Sequence, residues 1–392
     1  MNTEIVIVGA KRTPIGSFQG QFKTVSCAEL GAAALKGALI HGGLDAERID
    51  EVVMGCVLPA GQGQAPARQA AIAAGIPLAA GATTINKMCG SGMKAIMQGC
   101  DAIGAGSAEA VLAGGMESMT MAPYLLPKAR GGMRMGHGQV LDHMFFDGLQ
   151  DPYEGFMMGE FAERCAEKYS FSREEQDAFT VESTRRANRA IESGEFSAEI
   201  SPVSVKSRTS ETLVEVDEEP GRMILDNIPS LRPAFRKEGT VTAASSSKIS
   251  DGAAAVVLMT AARASELGLT PLARVVSYAT HSQEPGWFTT APVGAIAKLL
   301  KQTGWQTGDV DLFEINEAFA VVTMAAMREH ALPRDKVNVN GGACALGHPI
   351  GASGARILVT LMNALEQRGL RTGVASLCIG GGEATAMAIE KL

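Results

Sequence analysis

Three short strings from the first third of this chain return near its end, in the same order and at a nearly constant spacing of roughly 260 residues. Gly90-Ser91-Gly92-Met93-Lys94-Ala95-Ile96 matches Ala352-Ser353-Gly354-Ala355-Arg356-Ile357-Leu358. Gly114-Gly115-Met116-Glu117 matches Gly380-Gly381-Gly382-Glu383, and Asp50-Glu51-Val52-Val53-Met54 matches Asp311-Leu312-Phe313-Glu314-Ile315. Gly- and Ala-rich strings recur by chance, so one match means little. Three in order argue for a duplicated half, and a chain with two copies of one unit must pack two similar modules together.

The repeated unit reads as α/β. Ile5–Val8 and Glu51–Val57 are short apolar runs of the buried-strand kind, and Ala110–Ala113 is a third, ending at Gly114-Gly115. Ala28–His41 is Ala-rich and stops at Gly42-Gly43, while Met93–Ile103 places apolar residues at helical spacing. Such alternation predicts a largely parallel sheet covered by helices. Between the copies lies a different segment. It opens with Pro123, Pro127, Gly131-Gly132 and the cations Lys128, Arg130 and Arg134, then shows a capping box, Ser172 with Glu175, starting a helix that Gly194 stops. Asp251–Thr260 is expected to return to the first half's sheet. The expected division is therefore residues 1–119 with 250–270 as the first half, 120–249 as an inserted loop domain, and 271–392 as the second half.

Composition removes several classes. The chain has a net charge of −7, without the basic stripe of a nucleic-acid binder. Its best apolar stretch, 69–85, is broken by Pro77, so no membrane span is expected. Seven cysteines lie dispersed, with no CxxC pair and no zinc spacing, which fits reduced thiols in a cytoplasmic protein without a metal. No P-loop, GxSxG or strand-borne GxGxxG appears, which counts against NTPases, serine hydrolases and dinucleotide oxidoreductases.

Four residues beside Gly turns stand out. Cys89 precedes Gly90-Ser91-Gly92 and a helix, where the helix dipole favours thiolate, so it is expected to be the most reactive of the seven thiols. A buried structural cysteine is the competing reading. His348 lies in Gly347-His348-Pro349-Ile350-Gly351, at the related point of the second half. Cys378 runs into Gly380-Gly381-Gly382, whose backbone N–H groups are able to face a ligand. Asn316 is either functional or simply the N-cap of the helix after it. Two thiols, an imidazole and an amide suit covalent acyl transfer, with one thiol carrying the acyl group and the other moving a proton.

At these residues the sequence resembles the thiolase family, nearly end to end, from Arg12-Thr13-Pro14-Ile15-Gly16 to Cys378-Ile379-Gly380-Gly381-Gly382. Asn86-Lys87-Met88-Cys89-Gly90-Ser91-Gly92 looks like the nucleophile motif, and Asn316-Glu317-Ala318-Phe319, Gly347-His348-Pro349-Ile350-Gly351 and Cys378-Ile379-Gly380-Gly381-Gly382 look like the other three. The resemblance implies a five-layer αβαβα fold of two similar halves with an inserted loop domain, usually a homotetramer built as a dimer of dimers. It implies reversible Claisen condensation of two acetyl-CoA molecules, with coenzyme A thioesters as substrates and no metal or redox cofactor. By the same resemblance Cys89 is the acylated nucleophile and His348 its activator. Asn316 positions a water, Cys378 is the base at the α-carbon, and the N–H groups of Cys89 and Gly380 form an oxyanion hole.

Ser247, Ala243, Phe235, Arg222, Met157, Ala318 and Phe319 fall at implied acyl-CoA contacts. The chain departs from the family pattern at three of the implied positions. Phe156-Met157 stands where His-Met is usual, Lys248 replaces a Gly, and Phe288 replaces a Met, so Phe156 and Phe288 are expected to narrow the acyl pocket toward short chains. Ketoacyl-ACP and HMG-CoA synthase types lack a second cysteine in a Cys-x-Gly-Gly-Gly turn, so Cys378 speaks against them. A silent scaffold would have lost Cys89, His348 or Cys378. The expected function is an acyltransferase working through a Cys89 acyl-enzyme, with a 3-ketoacyl-CoA thiolase of other chain length as the alternative.

Overall fold

A computed structural model of the chain describes residues 4–392 apart from Ser207. Nine strands carry the architecture: β1 (Ile5–Arg12), β2 (Glu51–Gly55), β3 (Gly81–Ile85), β4 (Ala110–Ser118), β5 (Ser250–Thr260), β6 (Ala273–Ser282), β7 (Leu312–Ile315), β8 (Thr372–Ile379) and β9 (Glu383–Lys391). Their order across the sheet is β7-β8-β9-β6-β1-β5-β4-β2-β3, with the two-residue strand Gly16–Ser17 added beside β5. The two halves meet at β1–β6, which pair over only two residue positions, Val6 with Arg274 and Ile7 with Ala273.

The duplication is visible in the topology. β2-β4-β5-β1 in the first half repeats as β7-β8-β9-β6 in the second. In both copies the first pair is parallel and the next two are antiparallel, so the sheet is mixed and not largely parallel as the alternation of strands and helices suggests. The register also corrects one sequence match. Met54 pairs with Gly114, and Ile315 pairs with Ser376, so the structural counterpart of Gly114 is Ser376 rather than Gly380. Gly114 and Gly115 do not end a strand, because β4 runs on to Ser118. Their missing side chains serve packing instead. A Cβ on Gly114 would lie 2.0 Å from the Ala254 carbonyl, and one on Gly115 would lie 2.0 Å from that of Gly351. The second contact brings the His348 loop of one half against a strand of the other.

Eight helices matter for the layers and the site: α1 (Cys27–Gly42), α2 (Pro66–Ala73), α3 (Ser91–Gly104), α4 (Met158–Tyr169), α5 (Arg173–Glu192), α6 (Ala291–Thr303), α7 (Ala320–Glu329) and α8 (Ser353–Arg368). α1 and α2 pack with Val6, Met54, Leu112 and Val257 on one face of the first half's strands. α3 and α8 share one core with Ile7, Val53, Val111 and Val256 from that sheet's other face and with Ala375, Leu377 and Met387 of the second half. α6 covers the far side, against Phe313, Val374 and Ala386. The layers are thus helix, sheet, helix pair, sheet, helix, as the resemblance implied. The middle layer is apolar on two sides, which explains why α8 is buried along nearly its whole length.

The segment between β4 and β5 is held by buried charge. The Arg12 guanidinium at the end of β1 grips Asp217 through two bonds of 2.7 and 2.8 Å and also meets Glu199. Removing Arg12 would leave the buried Asp217 and Glu199 carboxylates without their counter-charge, an expensive loss. The Ser172–Glu175 capping box starts α5 as its sequence indicates.

Candidate active site

Cys89 sits on a tight turn between β3 and α3. Asn86 Oδ1 accepts from the Met88 N–H at 2.8 Å, and the Ser91 hydroxyl donates to the Met88 carbonyl at 2.6 Å. These bonds hold Met88 at φ +46°, a left-handed conformation costly for a residue with a side chain. Gly90 lies so close to Ile379 that a Cβ there would come within 2.3 Å of its side chain. The nucleophile turn of the first half and the triple-Gly turn of the second are therefore packed together, and Lys87 pairs with Glu383 across them. Gly381 and Gly382 have φ of +89° and +85°, which a residue with a Cβ resists.

The backbone N–H groups of Gly380 and of Cys89 itself favour the Cys89 thiolate. Burial outweighs both donors and pushes the thiol up to about 11. This corrects the helix-dipole expectation: desolvation wins, and the resting residue is a thiol. Cys378, at the end of β8, is fully buried among Phe161, Phe288, Ala318 and Phe319. Burial raises it well above the usual thiol range, and the neighbouring Cys89 adds to the shift.

His348 is buried, and its N–H donates to the Lys248 carbonyl at 3.0 Å. Its Nδ1 lies 2.5 Å from the Ser353 hydroxyl, which in turn donates to the Pro349 carbonyl at 2.9 Å. With that proton committed, the Ser353 oxygen accepts from Nδ1–H, and this assignment leaves the lone pair on Nε2. Nε2 is buried and has no hydrogen-bond partner among the described residues. Burial, then the charge of Arg356, hold the imidazole down at about 3, so it is neutral at physiological pH. Asn316 does not cap α7, whose N-cap is Phe319. Its Nδ2 lies 3.5 Å from His348 Nδ1, and its Oδ1 lies 3.4 Å from the Arg356 guanidinium.

A cavity of about 180 Å³ ends at this cluster, lined by Met157, Phe235, Ser247, Lys248, Phe319 and His348 among others. An outer groove of about 350 Å³ follows it past Lys248, lined by Arg222, Ala243 and Ala244. Met157 is the N-cap of α4, Phe235 meets Phe319 edge to face at 5.9 Å, and the Ser247 N–H donates to the Ala318 carbonyl at 3.0 Å. Another opening, of about 530 Å³, reaches Gly380 and Gly381 from the Phe146 and Tyr153 side.

Two expected pocket residues are elsewhere. Phe156 is 47% exposed and lies against Arg164, which Glu154 fixes by two bonds. Phe288 is buried edge to face on Phe161 at 6.1 Å, in the same apolar cluster as Cys378 and Phe319, and it lines neither the inner cavity nor the outer groove. Sequence reading missed Ser353, Arg356 and Glu117. Glu117 is a buried carboxylate that accepts from the N–H groups of Val57, Leu58 and Gly351 and so ties the His348 loop to the first half. Burial raises it to about 7. Its place in an apolar strand of the duplicated unit was the available signal.

The thiol state has a direct consequence. Cys89 is partly buried, whereas the other six cysteines are fully buried. Substoichiometric iodoacetamide is therefore expected to label it first, at a rate that climbs about tenfold per pH unit between pH 7 and 10. Peptide mass mapping reads this. A plateau already reached below pH 8, or earlier labelling of Cys27 or Cys165, would contradict the geometry.

Comparison with known proteins gives a consistent picture. The model of the thiolase N-terminal domain matches residues 5–262, and that of the thiolase C-terminal domain matches 269–391. An acetyl-CoA acetyltransferase of Pseudomonas aeruginosa is 49% identical over 390 residues, covering 99% of both chains. One from Cupriavidus necator is 49% identical over 391 residues, covering 99% of this chain and 100% of its own. The crystal structure of the Bacillus anthracis acetyl-CoA acetyltransferase superposes with a TM-score of 0.97 at 43% identity, covering 100% of this chain and 99% of that one. With both halves matched along their length, the chain belongs to the thiolase family.

Proposed function

We propose that this protein is an acetyl-CoA acetyltransferase, joining two acetyl-CoA molecules into acetoacetyl-CoA and CoA and running the reverse thiolysis. The observation that carries this reading is a Cys89 thiol that neighbours Cys378 and packs with Ile350 of the His348 loop, beside a neutral imidazole that lines the inner cavity. Cys89 attacks the thioester carbon while His348 Nε2 takes its proton. The C–S bond to CoA then breaks, and the imidazolium returns the proton to the leaving thiolate. Asn316 and the protonated Nε2 face the first oxyanion. The N–H groups of Cys89 and Gly380 face the second. Cys378 passes its proton to His348 and, as thiolate, removes the α-proton of a second acetyl-CoA; the carbanion attacks the acetyl carbon, the bond to Cys89 breaks, and the imidazolium returns its proton to the Cys89 thiolate.

Coenzyme A thioesters are the substrates in this scheme, and two thiols and an imidazole move every proton. The inserted segment 120–249 supplies Met157, Arg222, Phe235, Ala243 and Ser247 to the substrate groove, and on family grounds it carries the contacts of a cytoplasmic homotetramer. Among the described residues no helix is long and apolar enough to cross a membrane. The small inner cavity favours short acyl groups. Purified protein given acetoacetyl-CoA and CoA should consume the magnesium-dependent acetoacetyl-CoA absorbance. Its kcat/KM for acetoacetyl-CoA should exceed that for 3-ketohexadecanoyl-CoA. Lack of turnover with any acyl-CoA would sink the function, and the opposite chain-length order would sink the short-chain reading.

A further inference from the structure

Lys248 is the residue shared by the inner cavity that ends at His348 and the outer groove beside Arg222. Its side chain folds back onto its own turn. Nζ donates to the carbonyls of Ala243 at 2.7 Å, Ala244 at 3.2 Å and Ser246 at 3.2 Å, using all three ammonium protons. Its backbone works in the other direction. The Lys248 carbonyl accepts from the His348 N–H at 3.0 Å and from the Ser250 hydroxyl at 2.9 Å. One residue thus fastens the wall between the two cavities and the loop bearing the imidazole.

We propose that Lys248 is a positioning residue for substrate binding, whose ammonium clamps the 243–247 turn into the shape that receives the acyl-CoA arm. The inference rests on the acyl-CoA reading of the groove. Without the ammonium, three carbonyls lose their donor beside a largely apolar wall, and the turn must be reordered each time substrate enters. That cost falls equally on the ground state and the transition state, so it raises KM and leaves kcat alone. Lysine also makes the clamp sensitive to pH. Burial lowers its pKa, opposed by Cys344, Glu219 and Glu317, while Arg222 lines the same groove and His348 faces the inner side. The clamp is complete while the amine is charged and weakens as pH rises through that lowered pKa.

The test is steady-state condensation of acetyl-CoA by the full-length wild type, Lys248→Met and Lys248→Arg between pH 7 and 10. Lys248→Met should raise KM about tenfold with kcat within about threefold of wild type. Lys248→Arg keeps the donors and the charge. It should stay near wild type at pH 7 and lose the alkaline rise in KM that the wild type shows. An unchanged KM in Lys248→Met, a loss confined to kcat, or an identical alkaline rise in Lys248→Arg would each overturn the clamp. If the wild type itself does not turn over acetyl-CoA, the acyl-CoA reading fails, and the clamp fails with it. Wild-type turnover beside an unaffected Lys248→Met defeats the clamp alone.

Discussion

Cys378→Ala is expected to yield a protein that still takes an acetyl group from acetyl-CoA onto Cys89 but no longer condenses. Acylation requires a nucleophile, a proton acceptor and an oxyanion site, and these are Cys89, His348 and the Asn316 side. Carbon–carbon bond formation needs a base at the α-carbon of the second acetyl-CoA, and the Cys378 thiol, which neighbours Cys89, is assigned that role. Its thiol is raised by burial and by Cys89, so it is protonated at rest. It becomes a base only when the approaching thioester and its oxyanion donors replace lost solvation. Removing a positioned base costs about 10²–10⁴ in rate. Intact-protein mass spectrometry should therefore show the mass gain of one acetyl group on the variant, at a rate near wild type, while acetoacetyl-CoA formation falls by that factor. Condensation at the wild-type rate would make Cys378 structural and leave His348 as the next base. A folded variant that neither acylates nor condenses would defeat the division of labour between the thiols.

Much of the fold was legible because the chain states it twice. The repeated strings reported two modules, and the strand order of the halves repeats as they imply. What sequence misread were roles that depend on a partner far along the chain. Gly114-Gly115 looks like a turn, because glycine pairs usually are turns. It is a strand interior, since Ala254 and Gly351 press on it. Asn316 has the local look of a helix cap, but the helix starts later and the amide turns toward His348 and Arg356.

Cys89 shows the same limit in electrostatic form. The helix N-terminus that favours thiolate is written in the local sequence, whereas the burial that overrides it comes from the meeting of both halves. Phe156 could be placed on a pocket wall by motif position, but nothing local shows that Arg164 and Glu154 draw that stretch to the surface. The residues nearest to catalysis were legible because their chemistry is unusual. Their supports, Ser353, Glu117 and Arg356, are ordinary polar residues that acquire meaning only from the folded contacts.

His348→Asn should lower the rate of Cys89 acylation by about 10²–10⁴ at pH 7 and change the shape of its pH profile. In the wild type the imidazole is held at about 3 and the thiol at about 11. Between those values the base keeps its lone pair and the nucleophile keeps its proton. The reacting population then stays constant, and acylation should be nearly flat from pH 5 to 9. Below about 3 the imidazole would charge and the rate would fall. In the variant no base accepts the thiol proton, so only the small thiolate fraction reacts. That fraction grows about tenfold per pH unit until the thiol titrates, so the variant's rate should climb steeply and approach the wild type on the alkaline side. Alkylation of Cys89 by iodoacetamide supplies the control for folding. It depends on thiolate and access, and it should be similar in both proteins. Single-turnover acylation with acetyl-CoA across pH 5 to 10 reads the outcome. A flat profile in His348→Asn would mean that another group takes the proton, and an unchanged rate at pH 7 would remove His348 from the acylation step. A steep wild-type profile would mean that the resting pair is not the neutral thiol and imidazole that burial enforces.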